Sequence, residues 1–392
     1  NESWRQVNKH RCSPGVTGNL LHCLRTRPSS LMESPPDASS PQQTPIADVG
    51  EFGLIAHLRD TLGLPEDDAV ETGIGDDAAV YTVGDGQVHV MTTDVLVEGI
   101  HFDRSFMPME HLGFKALSVN VSDVVAMNAT PRYATVALGI PESASVEMLK
   151  TLYTGMREAC KAYGMTIVGG DTSGAHALSL SVTVVGEATT DDVVYRHGAR
   201  VGDKLCVTGD IGASYAGLKV LLLHRKQLQE KGEDFEPVLD PFSYVIRRHL
   251  APPAQLQAVR TWAEAGVQPT SLIDISDGLA SEVNHICEAS GVGAMMYEPA
   301  LPIHPETRNT ATEFSDDVDA YALFGGEDYE LVFTMAEEHL QALDPQTYNV
   351  IGEITELNDK DAPAQIQRAN GEVLPLHPSG FDHFDDTEPP QM

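Results

Sequence analysis

The sequence predicts an α/β protein built from two α/β domains. Three observations support this prediction. Strand-like and helix-like segments alternate along the chain, the alternation starts again after residue 190, and the length of 392 residues suits two domains of ordinary size. We place the first domain at residues 47–190, the second at residues 191–384, and an acidic tail at residues 385–392.

The first domain combines strand-forming and helical patterns. Residues 88–93 (VHVMTT) are rich in strand-forming types, and residues 178–185 (LSLSVTVV) alternate between apolar and polar side chains. A shorter strand is predicted at residues 165–168. Apolar residues at helical spacing predict helices over residues 114–127 and 148–163.

The second domain repeats this alternation after a glycine-bounded turn. Strands are predicted over residues 204–208, 272–275 and 329–334, and helices over residues 213–224 and 279–289. The repeat supports a second α/β unit that meets the first near residue 190.

Residues 1–46 differ in composition from the rest of the chain. They contain five basic and three acidic residues, whereas the remainder contains 20 basic and 55 acidic residues. A Pro/Ser-rich stretch at residues 34–41 cannot pack a core, and the first methionine is Met32. We therefore predict a disordered or non-native extension. A targeting peptide is the less favoured interpretation, because the segment lacks an amphipathic pattern.

The overall composition excludes some classes of function. The net charge is −33, and a field of this sign repels phosphate backbones, so we expect no nucleic-acid partner. No apolar run approaches the roughly 18 residues needed to cross a bilayer, so we expect no membrane segment. The five cysteines are widely spaced and form no Cys-x-x-Cys pair, which favours a reducing cytoplasm.

Two familiar nucleotide-binding motifs do not apply. No Gly is followed by Lys, so the chain has no phosphate-binding P-loop. Gly73, Gly75 and Ala78 fit the loose dinucleotide pattern G-x-G-x-x-A, but β-type residues follow where that motif needs a helix. We reject this match.

The strongest chemical signal is a series of acidic residues beside Gly, Ser or Thr, each predicted at the edge of a regular element. They are Asp76, Asp77, Asp94, Asp123, Asp171, Asp274, Asp277, Glu327 and Asp328. Carboxylate oxygens are the ligands that Mg²⁺ prefers. In a chain this acidic, solvated surface carboxylates and turn caps are the alternative interpretation. Taken together, the series favours a site for Mg²⁺ and a nucleotide.

Residue spacing groups some of these side chains. Asp274 and Ser276 are two apart on a predicted strand and would share a face. Asn120 and Asp123 are three apart on a predicted helix and would also share a face. Asp277 precedes the next predicted helix, whose first amides favour a bound anion.

Eight stretches of the sequence resemble the thiamine-monophosphate kinase family and follow the order typical of it. They are GEFGLIAHL at 50–58, GIGDDAAV at 73–80, TTDVLVEGIHF at 92–102, KALSVNVSDVVAM at 115–127, GGDT at 169–172, SDGL at 276–279, GGEDYEL at 325–331 and GFDHF at 380–384. GGDT and SDGL also occur across the wider aminoimidazole ribonucleotide synthetase superfamily. VEGIHF, GGEDYEL and GFDHF point to the kinases themselves.

The resemblance implies roles for particular residues. Several Mg²⁺ ions would be held by Asp77, Thr92, Thr93, Asp94, Asp123, Asp171, Asp274 and Asp277. ATP would contact Tyr153, Gly170, Asp171, Arg196 and Ser276, and thiamine phosphate would contact His101, Glu327 and Phe381. From the residues alone, His101 and Phe381 could equally be core residues, and Arg196 could be a surface residue.

The resemblance also implies a fold and a reaction. The family folds as two α/β domains and usually dimerises through the first, whose strands pair with those of a second copy in a barrel. It transfers the γ-phosphoryl group of ATP directly to thiamine phosphate, giving thiamine diphosphate in the last step of its biosynthesis. The residues agree with this, since no Ser-His-Asp or Cys-His relay stands out and the acceptor phosphate is already an anionic nucleophile.

Two other functions stay open at this point: another ATP-using synthetase of the same superfamily, and a non-catalytic protein that binds Mg²⁺ and a nucleotide. One departure from the family pattern is Asn128, where the family usually has Gly. If that position needs a left-handed backbone, Asn is the next best residue. The high acidity suggests adaptation to high salt.

Overall fold

The structure is a computed structural model, and it describes residues 44–63, 67–232 and 236–377. The predicted extension, apart from its last residues, lies outside the described residues. The acidic tail, the GFDHF stretch and Phe381 also lie outside them.

Over residues 44–63 and 67–189, the described chain forms a six-stranded sheet with three helices. Its strands are β1 (Val70–Thr72), β2 (Ala79–Gly84), β3 (Gln87–Val97), β4 (Thr130–Ile140), β5 (Thr166–Gly174) and β6 (Ser179–Thr189). Its helices are α1 (Gly50–Leu62), α2 (Met109–Ala126) and α3 (Val146–Tyr163). The strand order is β1-β2-β3-β6-β4-β5, and among the described strands of this sheet only β4 and β5 pair in parallel. Within the described chain the sheet is open, so a barrel would need a second copy.

The second part forms a seven-stranded mixed sheet. Its strands are β7 (Lys204–Val207), β8 (Ser271–Asp274), β9 (Gly293–Tyr297), β10 (Leu331–Met335), β11 (Asn349–Thr355), β12 (Ala364–Gln367) and β13 (Val373–Pro375), in the order β13-β12-β9-β11-β7-β10-β8. Its helices are α4 (Ala213–Lys231), α5 (Ser243–Leu250), α6 (Leu256–Ala265), α7 (Leu279–Ser290), α8 (Pro305–Phe314), α9 (Val318–Phe324) and α10 (Glu337–Leu340).

Helix α2 connects the two parts. Its apolar residues are almost all buried, and they pack on β3 and β6 of the first sheet. The same helix also contacts β8, α5 and α6 of the second part. Polar residues on α2 therefore lie at the junction between the two sheets.

Helices α2 and α3 cross at two glycines. A Cβ atom added to Gly113 would lie 1.9 Å from the carbonyl oxygen of Leu152, and one added to Gly155 would lie 1.8 Å from that of Glu110. Both distances are far below van der Waals contact, so only glycine allows the two backbones to approach this closely. Helix α3 is also well terminated, because Ser145 Oγ accepts from the Met148 N–H and Gly164 ends the helix at φ 74°.

The elements predicted from the sequence are confirmed in type, and the fold is two-domain α/β. The prediction for Asn128 is also confirmed, since its φ is 55°. The domain bounds at residues 47–190 and 191–384 stay a prediction.

The sequence prediction is wrong in detail at four residues. Asp94 and Asp171 lie inside β3 and β5, and Asp123 lies inside α2, so these residues are not at element edges. Strand β3 continues through polar residues because it is paired on both sides. Ser276 is not on a strand with Asp274, because β8 ends at Asp274 and a turn follows.

Candidate active site

Strand β3 and helix α2 place two carboxylates side by side. Thr92 Oγ1 donates a hydrogen bond to Asp123 Oδ2 at 2.6 Å. The Asp94 N–H donates to Asn120 Oδ1 at 3.1 Å. The alternation along β3 directs Thr92 and Asp94 to the same face, toward α2. Asn120 and Asp123 share a face of the helix, as predicted from their spacing.

A third carboxylate reaches this point from the second sheet. Asp274 ends β8 and is 3% exposed, and its Oδ2 accepts a hydrogen bond from Ser122 Oγ at 2.5 Å. Ser122 precedes Asp123 on α2. The helix therefore joins carboxylates that are 151 residues apart in the chain.

Asp77 completes the cluster and is held by Arg196. Arg196 Nη2 donates to Asp77 Oδ1 at 2.6 Å, and Arg196 Nε lies 3.3 Å from Asp76 Oδ1. The second oxygen of Asp77, Oδ2, is buried and has no hydrogen-bond partner. An anionic oxygen in this state needs a positive partner.

The charges of these carboxylates work against one another. Burial raises the pKa of Asp94 and that of Asp274 to about 6. Burial, followed by the charges of neighbouring carboxylates, raises the pKa of Asp77 and of Asp123 well above the usual value. A bound cation would stabilise the ionised form of these carboxylates, because it offsets both their mutual repulsion and their loss of hydration.

The turn after β8 is fixed by Glu282 of α7. Its Oε1 accepts a hydrogen bond from the Asp277 N–H at 3.0 Å and from Ser276 Oγ at 3.4 Å. Gly278 follows with φ 126°, and a Cβ there would lie 2.8 Å from the Leu323 carbonyl oxygen. Sequence reasoning did not select Glu282. The sequence feature that could have identified it is an acidic residue in the first turn of a helix, directly after the predicted ligand-binding segment at Ser276 and Asp277.

The segment with Glu327 runs against this turn in a strained conformation. Glu327 and Tyr329 have φ values of 55° and 53°, which are uncommon for residues other than glycine. The Glu327 N–H donates to the Ser276 carbonyl oxygen at 2.7 Å, and the Tyr329 N–H donates to that of Ile275 at 2.9 Å. Strained residues that the surrounding structure holds in place are frequent at ligand sites.

The predicted substrate contacts His101 and Glu327 lie within electrostatic reach of each other. His101 Nδ1 accepts a hydrogen bond from the Val97 N–H at 3.0 Å, which fixes the ring against the end of β3. Two residues that sequence reasoning missed, Lys115 and His249, contact the Glu327 carboxylate directly.

The structure does not bring every predicted site residue into this cluster. Gly170 is in register with Asp94 across the first sheet, but strands β6 and β4 lie between them. The backbones of the two residues are therefore roughly 14 Å apart. Asp171 and Thr93 lie in rows that face the opposite side of the sheet. Tyr153 is on α3 and 40% exposed. The roles of these four residues stay predictions.

Among the residues that the structure describes, no three His, Cys, Asp or Glu side chains stand close enough together to hold a metal ion by themselves. This is compatible with Mg²⁺, which is usually bound by one or two carboxylates and completes its shell with phosphate and water oxygens. The unpartnered Asp77 oxygen and the carboxylates with raised pKa values fit such an ion.

Two family descriptions match the chain. The N-terminal domain of AIR synthase related proteins matches residues 75–188, and the C-terminal domain matches residues 200–362. Thiamine-monophosphate kinase of Aquifex aeolicus is 36% identical over 345 residues, covering 86% of this chain and 99% of the relative. That of Salmonella typhimurium is 39% identical over 350 residues, covering 86% and 98%.

The chain belongs to the thiamine-monophosphate kinase family. A solved structure described as AaThiL complexed with AMPPCP and TMP has a TM-score of 0.73 and 34% identity, and covers 87% of this chain and 99% of its own. Structures of the hydrogenase maturation protein HypE, at 20–24% identity, share the fold. In this member of the thiamine-monophosphate kinase family, the carboxylate cluster lies where α2 joins the N-terminal and C-terminal domains. In the described part of the chain, no helix is long and apolar enough to span a membrane.

Proposed function

We propose that this chain transfers the γ-phosphoryl group of ATP to thiamine monophosphate, forming thiamine diphosphate and ADP. The observation that carries the proposal is the meeting of four carboxylates from both domains in a chain of this family: the buried Asp274 and the half-buried Asp77, Asp94 and Asp123. The relative complexed with AMPPCP, an ATP analogue, and TMP supports the same pair of substrates. We place the reaction in the cytoplasm, as the cysteine spacing predicts.

Mg²⁺ would be held by the residues that the family resemblance selects. They are Asp77, Thr92, Asp94, Asp123, Asp274 and Asp277, and the resemblance adds Thr93 and Asp171, which face the opposite side of the first sheet in this structure. When bound, Mg²⁺ shields the negative charge of the phosphate groups during transfer. The donor set supports this assignment, because hard carboxylate and hydroxyl oxygens suit Mg²⁺ and an unpartnered Asp77 oxygen is available.

The chain's own groups bind and orient the two substrates. Arg196 holds Asp77 and supplies a guanidinium beside the cluster, where it can also contact phosphate oxygens. Ser276, Gly170 and Tyr153 would contact ATP. His101 and Glu327 would contact the thiamine part of the acceptor, with Phe381 as a third contact. The acceptor phosphate is anionic near neutral pH and needs no general base, so positioning and charge neutralisation supply the catalysis.

Release of ADP from Mg²⁺-ATP, measured with and without thiamine monophosphate, tests this function. We expect ADP release to depend on thiamine monophosphate and to be matched by thiamine diphosphate on chromatography. Unphosphorylated thiamine is the control acceptor and should not replace it. ADP release that is independent of thiamine monophosphate would favour another ATP-using enzyme of the superfamily, and ATP binding without turnover would favour a non-catalytic protein.

We also propose that the chain forms a homodimer through the outer face of the first sheet. Met91, Val95 and Tyr133 are 40–50% exposed and lie on this face, together with Thr93 and Asp171. Several exposed apolar side chains on one sheet face are typical of an interface. Light scattering after size exclusion should give twice the chain mass, and Val95→Lys should shift the protein toward the monomer.

A further inference from the structure

Lys115 is a charged residue inside the protein, on the buried face of α2. Its side chain is 0% exposed, and the residues around it on the helix are apolar or small. A buried ammonium group is costly unless it is paired. Lys115 Nζ lies 2.8 Å from Glu327 Oε1 and 3.4 Å from the His249 carbonyl oxygen. The first domain thus supplies a cation to a carboxylate of the second.

The Glu327 side chain is held by interior residues and is partly exposed. Lys115 binds Oε1, and His249 Nδ1 lies 3.4 Å from Oε2. His249 is 3% exposed at its side chain, whereas Glu327 is 31% exposed. Both oxygens are therefore held from the interior, while part of the Glu327 side chain stays accessible.

Glu327 lies near the carboxylate cluster, as the neighbouring Tyr329 shows. Burial, followed by the charges of Glu327, Asp94, Asp274 and Asp123, raises the pKa of Tyr329 well above its usual value. Burial would raise the pKa of Glu327, but the charge of Lys115 lowers it below the usual value. Burial and Lys115 lower the pKa of His249 to about 3, so its ring is neutral near pH 7. Among the described residues that contact the Glu327 carboxylate, Lys115 is therefore the one that carries a positive charge near pH 7.

We infer that Lys115 is a positioning residue for the cationic ring of the acceptor, because it holds the Glu327 carboxylate charged and turned toward the ligand. The inference rests on the proposed function and deepens it. The thiazolium ring of thiamine carries a permanent positive charge, so a fixed carboxylate attracts it, whereas a protonated Glu327 would not. Lys115 itself touches neither substrate, and its effect passes through Glu327.

A double-mutant cycle tests this inference on the full chain. Lys115→Met, Glu327→Gln and the double variant are compared with the wild-type enzyme for kcat and for the KM of each substrate. We expect Lys115→Met to raise the KM for thiamine monophosphate at least tenfold, with the KM for ATP changed less than twofold. In the Glu327→Gln background the same substitution should change kcat/KM for thiamine monophosphate less than twofold, because the carboxylate is already absent.

The matched control is Lys204→Met, which removes a lysine 3.5 Å from Glu353 at the surface of the second sheet. It should leave both KM values unchanged. If Lys115→Met does not fold, Lys115→Gln keeps a hydrogen-bond donor of similar reach and should show the same selective rise in KM.

Two results would overturn the inference while leaving the proposed function intact. One is an equal loss for both substrates in either Lys115 variant, which would indicate a purely structural ion pair. The other is a full, additive effect of Lys115→Met in the Glu327→Gln background. A wild-type enzyme without any dependence on thiamine monophosphate would instead overturn the proposed function, and this inference with it.

Discussion

At Asp94, burial and like charge act together against the ionised side chain. The carboxylate lies beside Asp123 and Asp274, and burial raises its pKa to about 6. Without a cation, this residue adds repulsion to the folded state. In the proposed reaction, a bound cation would remove this repulsion. We therefore expect Asp94 to lower the stability of the cation-free protein, a cost that is frequent at active sites.

We expect Asp94→Asn to reduce kcat roughly 100-fold or more, since a charge that neutralises the transferring group is lost. In EDTA, its melting temperature should equal or exceed that of the wild type, because one repelling charge is removed. Steady-state kinetics and thermal unfolding measure the two effects. The exposed Asp191→Asn is the control and should change neither. Near-normal turnover of Asp94→Asn would contradict its assignment to the site.

Some site residues could be predicted from the sequence because their local motifs indicate ligand binding, whereas others depend on contacts between distant parts of the chain. Asp77, Asp94, Asp123 and Asp274 were found because carboxylates beside Gly, Ser or Thr suggest ligands. Lys115 was missed because one lysine in an apolar helix is normally read as reaching solvent. Its partner Glu327 is 212 residues away, and only the packing of α2 against the second part brings the two together.

At the scale of elements, the crossing of α2 and α3 depends on two glycines. We expect Gly155→Ala to lower the free energy of unfolding by about 1–3 kcal/mol or more, because the added methyl group would meet the Glu110 carbonyl oxygen and force the helices apart. Urea unfolding measures this. Thr151→Ala, at an exposed position of the same helix, should change the value by less than about 0.5 kcal/mol. Equal stability of the two variants would contradict the close crossing.

The N-terminus of α4 should make stability depend on pH. Asp328 accepts hydrogen bonds from the Gly212 and Ser214 N–H groups, yet burial raises its pKa from 3.8 to about 7 despite nearby Arg248. Between these values the folded chain binds more protons than the unfolded chain. Its contribution to the free energy of unfolding therefore falls as pH rises toward 7.

Asp328→Asn should remove this contribution. The substitution can also lower the free energy of unfolding by an amount that does not depend on pH. We therefore compare two pH values, and expect the free energy of unfolding of the variant minus that of the wild type to increase by about 2–3 kcal/mol from pH 5 to pH 7.5. Urea unfolding of both proteins at the two pH values gives the difference. Parallel pH profiles would show that Asp328 does not titrate in this range.

The bounds of elements were less predictable than their type, for reasons visible in the chain. Helix α4 continues to Lys231, beyond the predicted residue 224, because its second half is polar and exposed and shows no apolar periodicity. Strand β5 extends through Gly169–Asp171, residues that suggest a turn, because β4 pairs with it along most of its length. Pairing partners set these limits, and the partner is not visible in local sequence.

For the molecule as a whole, the net charge of −33 is the dominant electrostatic property. We expect the melting temperature to rise from 0.05 to 1 M KCl, because the Debye screening length falls from about 14 Å to about 3 Å, which weakens the repulsion among surface carboxylates. The rise should shrink near pH 4.5, where part of these carboxylates are protonated. Flat stability and activity from low to molar salt would argue against adaptation to a saline environment.

One short backbone hydrogen bond has a consequence for the whole catalytic cycle. The Glu327 N–H is bonded to the Ser276 carbonyl at 2.7 Å, so the proposed acceptor contact and the proposed nucleotide contact move as one unit. A ligand that orders either of these two segments also orders the other, and so lowers the entropy cost of binding the second ligand. Thermodynamic reciprocity then requires nucleotide and acceptor to tighten each other by the same factor, which favours a ternary complex over two separately occupied half-sites.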